Sequence, residues 1–152
     1  MEKDKNITVE EVKKNYDNKE YLLEILQQKG ELLEFVSDKL KDDKDIICTA
    51  IDNAPWTICY ISERLSNDKD IFLNICKKYG QALYYASEKL RDNDELVKIA
   101  IMNKGIILKY ASDRIRNDKE MVKLAISQDK KAFHFISEKL KKDEEILEMK
   151  LK

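Results

Sequence analysis

The chain has one proline and three glycines in 152 residues, too few for the many turns of a β-rich fold. It has no apolar run near the ~18 residues that a membrane span needs. The first fifteen residues, MEKDKNITVEEVKKN, lack the apolar segment of a signal peptide. We therefore expect a helical, cytoplasmic protein that does not bind membranes.

Residues that carry chemistry are also few. The single histidine, His134, and the three cysteines show no zinc-site spacing, so we expect no metal and no cofactor, and we expect the cysteines to be reduced thiols. The chain contains no Gly-rich phosphate loop, no Gly-x-Ser-x-Gly and no His-Glu-x-x-His motif. Adjacent carboxylates such as Asp42 and Asp43 stand at predicted helix starts, where capping explains them. The sequence therefore predicts that the protein is not an enzyme.

What the chain does contain is a repeat. Five serines stand 25 residues apart (62 − 37 = 25), each inside a similar phrase such as VSDKLKDDKDI or ASEKLRDNDEL: Ser37, Ser62, Ser87, Ser112 and Ser137. A fixed period between 20 and 50 residues indicates stacked supersecondary units rather than one globular pocket. Proteins of this kind bind their partners through extended surfaces.

One copy illustrates the predicted unit. Apolar residues at helical spacing predict helix A over about 93–104, with Asp92 as N-cap and Glu95 three residues later. Gly105 ends the helix, and we expect it in the left-handed conformation. Helix B follows over about 106–115. The cap pair recurs in the other copies as Asp17/Glu20, Asp42/Asp45, Asn67/Asp70 and Asn117/Glu120, with Lys142 breaking the column, and the Gly105 position is filled elsewhere by Gly30, Pro55, Gly80 and Lys130.

These units predict an all-α fold, an α-solenoid of two-helix repeats with about twelve helices, in a single domain over 1–152. Thr8 and Glu11 form a capping box for a first helix at 9–15. DEEILEMKLK provides a last capping helix at 143–152. The repeats between them occupy about 17–40, 42–65, 67–90, 92–115 and 117–140.

Two phrases, YYASEKLRDNDELVKIAI (84–101) and KYASDRIRNDKEMVKLAI (109–126), carry a resemblance. The chain resembles the tandem-repeat family known as domain of unknown function 4116 over about 16–147. The resemblance implies a helical array. It implies no activity and no catalytic residue.

Columns that stay alike in every copy are expected to hold the fold. The serine column predicts a packing device whose hydroxyl bonds the carbonyl four residues back. The alternatives, a nucleophile or a phosphorylation site, lack an accompanying base. An aromatic column (Phe35, Tyr60, Tyr85, Tyr110 and Phe135) predicts stacking between repeats within the core, and a base-stacking ladder is its alternative.

Columns that vary are free to contact a partner. They lie just after the Gly position, one turn further on, and along helix A. We predict a partner-binding surface that is acidic at one end, aromatic or apolar in the middle and basic at the other: Glu31, Glu34, Asp52, Trp56, Tyr84, Lys98, Met102, Ile106, Lys109, Lys123, Lys130 and Lys131. Drift of unselected surface positions is the alternative. Trp56 does not recur in its column, which favours a binding hot spot over packing against Pro55.

The charge is asymmetric along the chain. Residues 1–76 carry 17 acids and 11 bases, and residues 77–152 carry 13 acids and 18 bases. We therefore predict a non-catalytic scaffold, adaptor or inhibitor that binds a protein. The alternative is binding of nucleic acid or nucleoprotein, including inhibition of a nucleic-acid-handling enzyme, through the basic C-terminal repeats. Self-association of acidic and basic halves is a third possibility.

Overall fold

The structure is a computed structural model in which residues 7–151 are described. No strand occurs in that range. The chain divides between Ser66 and Asn67 into two compact units, which we call unit 1 and unit 2 and describe separately. The prediction of a single domain stays a prediction.

Unit 1 contains two full repeats after a first helix. The bounds are α1 (Val9–Lys14), α2 (Lys19–Leu26), a 3-10 helix (Gly30–Phe35), α3 (Asp38–Lys41), α4 (Lys44–Asn53) and a second 3-10 helix (Pro55–Tyr60), and a 3-10 turn (Leu65–Asn67) spans the boundary between the units. The capping box predicted at the start of α1 is confirmed, because Thr8 and Glu11 bond each other's backbone N–H groups.

Unit 2 continues with the same order of elements. Its bounds are α5 (Lys69–Lys78), a 3-10 helix (Gly80–Tyr85), α6 (Glu88–Arg91), α7 (Asp94–Asn103), a 3-10 helix (Gly105–Tyr110), α8 (Asp113–Arg116), α9 (Lys119–Gln128), two 3-10 segments (Lys130–Phe135 and Leu140–Lys142) and α10 (Glu144–Leu151). The predicted all-α class with tandem repeats is confirmed.

Helix A of each repeat packs on the helix A that follows it within the unit. In unit 1, α2 contacts α4; in unit 2, α5 contacts α7, α7 contacts α9 and α9 contacts α10. The stripe predicted for α7 is buried, with Leu96, Val97, Ala100 and Ile101 each at 0% exposure. The repeats therefore bury their apolar faces against their neighbours, as isolated helical hairpins cannot.

Helix B differs from the prediction, because it is two short helices rather than one. The 3-10 helix ends at Tyr110, Ala111 and Ser112 are extended, and α8 begins at Asp113. Ser112 Oγ accepts a hydrogen bond from Ile115 N, so the serine is the N-cap of α8. A serine that caps the backbone interrupts a helix instead of sitting inside it, and apolar spacing over ten residues does not distinguish these arrangements.

The serine column therefore has a structural role, but not through the carbonyl four residues back. Besides capping, the hydroxyl donates to a side chain 20 residues earlier, in the preceding repeat. The acceptors are Asp17 for Ser37 (3.0 Å), Asp42 for Ser62, Asp92 for Ser112 and Asn117 for Ser137 (2.7 Å). Each serine thus caps its own helix and joins it to the previous repeat.

The N-caps of the A helices lie one residue later than predicted. They are Asn18, Asp43, Asp68, Asn93 and Asp118. In the last repeat Asp143 accepts from Ile146 N at 3.2 Å, so Lys142 does not break the column. The residue before each cap instead accepts the serine hydroxyl. Two adjacent polar side chains were available, and only the tertiary partner of the first distinguishes them.

The glycines do not adopt the left-handed conformation, since no residue in 7–151 has a positive φ. The reason for glycine is a close approach by the next repeat. A Cβ added at Gly30 would overlap Ala50 O, and one at Gly80 would lie 2.8 Å from Ala100 O. Any side chain at these positions would force the two helices apart.

An asparagine of the next repeat completes the contact. Gly30 N–H donates to Asn53 Oδ1 (2.7 Å), and Gly80 N–H donates to Asn103 Oδ1 (3.0 Å). The amide nitrogen of Asn53 donates back to Gln27 O at 3.2 Å. The same bridge therefore appears once in each unit, and it satisfies a half-buried backbone donor.

Candidate functional site

The variable columns lie on a common side of the six-residue 3-10 helices. In each of these helices the third and fourth residues are buried, and the second and fifth are exposed, apart from the half-buried Ile106. A 3-10 helix has three residues per turn, so its second and fifth side chains lie one above the other. We call this side the 3-10 face. It consists of Glu31, Glu34, Trp56 and Cys59 in unit 1, and of Gln81, Tyr84, Ile106, Lys109, Lys131 and His134 in unit 2.

In unit 1 the 3-10 face is acidic and aromatic. Its two 3-10 helices pack on each other, and Trp56 is 59% exposed. Partial burial raises the pKa of the Cys59 thiol, and the charge of Glu34 raises it further. Glu34 also raises the pKa of Tyr60, after the larger effect of burial. The structure therefore places the predicted acids Glu31 and Glu34 on the helix beside that of Trp56.

In unit 2 the 3-10 face is aromatic and basic. Tyr84 is 57% exposed, and its ring lies 5.0 Å from the ring of Tyr85 and 5.2 Å from that of Tyr110, both edge to face. Lys109 Nζ lies 4.6 Å from the centre of the Tyr110 ring. We call Tyr84, Tyr85 and Tyr110 the tyrosine cluster. The 3-10 helices of the repeats that follow place Ile106, Lys130 and Lys131 beside it.

The aromatic column itself is half-buried rather than inside the core. Phe35, Tyr60, Tyr85, Tyr110 and Phe135 all have intermediate exposure. Lysines cover three of the rings, with Lys13 over Phe35, Lys41 over Tyr60 and Lys109 over Tyr110. The fully buried position is the residue two before each ring, such as Leu83 and Leu108.

Other predicted residues lie on the A helices. Asp52 is exposed on α4, and Lys98 and Met102 lie one turn apart on α7, with Met102 59% exposed. Lys98 and Lys123 line an open concavity of about 450 Å³ together with Met121, Leu124, Ser127 and Met149. Lys109 lines a different one. The residues predicted as one surface therefore occupy at least two sites within unit 2.

The predicted basic residues are not equivalent. Lys123 Nζ pairs with Glu145 at 2.7 Å, and this contact raises the pKa of the lysine. Lys98, Lys109, Lys130 and Lys131 make no ion pair within residues 7–151. A cation that is already paired contributes less to binding an external anion, so the four unpaired lysines are the stronger candidates.

A second concavity in unit 2 involves residues that the sequence argument did not select. It has a volume of about 460 Å³, and Arg91, Lys109, Tyr110 and Arg116 line it together with Glu88 and Asp113. The Nε atoms of Arg91 and Arg116 are buried and have no hydrogen-bond partner. The two arginines are 25 residues apart in one column (116 − 91 = 25). Their position at helix ends suggested only a dipole effect, whereas the column was the signal that could have identified them.

Two further findings concern the described range as a whole. No group of three or more His, Cys, Asp or Glu side chains in 7–151 is arranged to hold a metal ion. None of the helices described is both long enough and apolar enough to cross a bilayer.

Comparison with known proteins identifies the family. No curated protein matches the chain. No solved structure matches it either. The model of the family described as "Domain of unknown function (DUF4116)" matches five overlapping tandem segments, 18–66, 46–91, 68–116, 93–141 and 118–149. These segments cover most of the chain, and they coincide with the helical repeats described above. The chain therefore belongs to the DUF4116 repeat family.

Proposed function

We propose that the protein is a non-catalytic scaffold of the cytoplasm that binds a partner protein through its 3-10 faces. The observation that carries the proposal is the exposure of large apolar side chains in variable columns. Trp56 and Tyr84 are 59% and 57% exposed, and the other copies of their columns carry Glu, Gln, Ile, Lys, Cys or His. The repeat does not require an aromatic residue at these places.

Exposed aromatic residues are the usual centres of protein interfaces. Trp and Tyr dominate binding hot spots, since they bury a large area and lose little conformational freedom. On each 3-10 face the aromatic residue has charged neighbours, Glu31 and Glu34 in unit 1 and Lys109 in unit 2. Such a charged rim increases specificity and association rate more than affinity. The proposed role of adaptor or inhibitor follows from surfaces of this kind.

Affinity capture from the native cell, followed by binding measurements on each identified protein, tests the proposal. Trp56→Ala and Tyr84→Ala should each weaken binding by about 2 kcal/mol or more if they are hot spots. Gln81→Ala is the matched control, because Gln81 is exposed in the same column as Trp56, and it should leave the affinity unchanged. A partner that binds wild type and both aromatic variants equally would contradict the proposal.

Nucleic-acid binding is the second candidate, and the unpaired lysines of unit 2 favour it. Residues 96–142 carry 12 bases and 5 acids (12 − 5 = 7), and Lys98, Lys109, Lys130 and Lys131 have no ion pair within the described range. Tyr84 would stack a base. Against it, Lys119 and Lys123 are already paired with acids of α10 or the residue before it.

Salt dependence distinguishes the two candidates. Binding of a single-stranded RNA or DNA oligonucleotide would weaken steeply as salt rises, because counterions are released. Lys130→Gln and Lys131→Gln together should then reduce both the affinity and the slope. A flat salt response, or no shift of either oligonucleotide on a gel, would exclude this candidate and leave the protein-binding proposal in place.

A further inference from the structure

We propose that the concavity formed by Arg91, Lys109, Tyr110 and Arg116 in unit 2 is a binding site for one anionic side chain, a carboxylate or a phosphate, of a partner protein. This inference rests on the proposed function, and it adds the chemistry of the segment that is bound. The concavity measures about 460 Å³, large enough for such a group and a neighbouring side chain. It adjoins the tyrosine cluster, because Tyr110 belongs to both.

The backbone holds both arginines in place. Arg91 is the last residue of α6, and its carbonyl accepts from Ser112 N of the next repeat at 3.0 Å. Arg116 ends α8, and its carbonyl accepts from Ser137 N at 3.1 Å. The short helices are thereby tied to the following repeat, and the guanidinium groups start from fixed positions. Little side-chain freedom remains to be lost when a ligand binds, which favours affinity.

Both arginines have an unsatisfied donor. The Nε atoms are buried without a hydrogen-bond partner, and a buried donor left unpaired is unfavourable. An anion at the mouth of the concavity would accept from a guanidinium N–H in a charge-assisted bond, which is about twice as strong as a neutral one. The planar guanidinium also suits the paired oxygens of a carboxylate or a phosphate.

The charge balance leaves room for one negative group. Arg116 already pairs with Asp113. Arg91 and Lys109 have no ion pair within residues 7–151, and they face a single further acid at the rim, Glu88. The unpaired cations therefore exceed the unpaired acid by one.

The same balance favours a peptide over a nucleic acid. A polynucleotide carries a negative charge at every phosphate, and Glu88 and Asp113 at the rim would repel the phosphates next to the bound one. A peptide can present one acidic residue beside an apolar one. Its apolar neighbour would lie on Tyr110 and Tyr84, whose rings are 5.2 Å apart.

An NMR titration of the full chain tests the site directly. The probes are three ten-residue Gly/Ser peptides that contain one leucine and differ at the next position, which is phosphoserine, glutamate or glutamine. The Nε–Hε signals of Arg91 and Arg116 are followed, because these are the groups expected to gain a partner. We expect both signals to shift with the phosphoserine and glutamate peptides, and not with the glutamine peptide. The stronger of the two anions identifies the natural group.

Variants separate the site from general charge. Arg91→Gln and Lys109→Gln should each weaken peptide binding at least about tenfold, the loss expected for one charge-assisted hydrogen bond. Lys109 is exposed, so its variant tests the site even if Arg91→Gln disturbs folding. The matched control is Lys139→Gln, which removes one exposed charge of unit 2 outside the concavity and should change the affinity less than twofold.

Three results would overturn the inference: no shift with any of the peptides, equal shifts with the glutamine peptide, or the same loss in Lys139→Gln as in Lys109→Gln. Tighter binding of a uridine oligonucleotide at the same arginines would replace it with the nucleic-acid interpretation. If a captured partner still depends on Trp56 and Tyr84 while the anionic peptides do not bind, the proposed function stands and this inference alone fails.

Discussion

Unit 1 and unit 2 are built from the same repeat and present opposite surface chemistry. On the 3-10 face, unit 1 carries Glu31 and Glu34 beside Trp56, whereas unit 2 carries Lys109 and Lys131 beside Tyr84. The buried positions between these residues are apolar in nearly every copy. The comparison shows that the second and fifth residues of each 3-10 helix can change without disturbing the repeat.

A second difference lies in one basic column. In unit 1, Lys41 is satisfied by its own unit, since Nζ donates to Glu34 O at 2.9 Å and lies over the Tyr60 ring. In unit 2 the equivalent Arg91 and Arg116 each keep a buried Nε without a partner. The column therefore closes the surface of unit 1 from within and leaves an open anionic subsite in unit 2.

The largest effect should come from the glycines that both units share. Gly30→Ala and Gly80→Ala should each lower the free energy of unfolding by about 2–3 kcal/mol, because the new Cβ meets a helix carbonyl of the next repeat. Gly30→Ala should cost more, since its Cβ overlaps Ala50 O whereas that of Gly80 lies 2.8 Å from Ala100 O. Urea denaturation measures both. Lys130→Ala, in the same column but exposed, is the control and should be nearly neutral.

The asparagine bridge should come next. Asn53→Ala and Asn103→Ala each leave a glycine N–H without its acceptor, and we expect a loss of about 1–2 kcal/mol in each unit. Gln128→Ala is the control at the equivalent position, where no bond to Gly105 occurs within the described residues. Similar losses in all three variants would show that the bridge does not stabilise the repeat.

The two exposed aromatic residues should differ in their contribution to stability. Tyr84→Ala removes two edge-to-face contacts and should cost about 1 kcal/mol. Trp56→Ala removes a side chain that is mostly in water and should change stability by no more than about 0.5 kcal/mol. Thermal unfolding of both variants checks this. A large loss for Trp56→Ala would support packing against Pro55 and argue against a hot spot.

The smallest effect should be the acid dependence of the serine link, in both units. In unit 1, hydrogen bonds from Arg64 and then Ser62 lower the pKa of Asp42; in unit 2, those from Ser112 and then Arg114 lower the pKa of Asp92. A lowered pKa in the folded state adds stability that is present above the ordinary value of 3.8 and is lost as the pH falls through the folded value.

Stability measured between pH 7 and pH 3 tests this. Wild type should lose stability as the solution is acidified through this range, and Asp92→Asn should lose less, because it cannot be protonated. Glu31→Gln removes an exposed carboxylate that has no bond within residues 7–151 and serves as the control. Parallel pH profiles for wild type and Asp92→Asn would contradict the assignment.

The amino-acid sequence by itself determined the period of 25 residues, the A helices and the columns that vary. These features depend on spacing alone, because buried apolar residues recur at the helical period and a repeat shows which positions are shared. The predicted positions of Trp56 and Tyr84 on the surface followed from the same comparison of copies.

Only the tertiary structure decided how helix B is divided, which of two adjacent polar residues caps helix A, and why glycine occurs at three repeats. Each depends on the neighbouring repeat. Ser112 is held by Asp92 of the previous copy, and Gly80 is required by the carbonyl of Ala100 in the next. The buried donors of Arg91 and Arg116 were hidden for the same reason, since whether a polar group finds a partner is a property of packing between repeats and not of spacing along the chain.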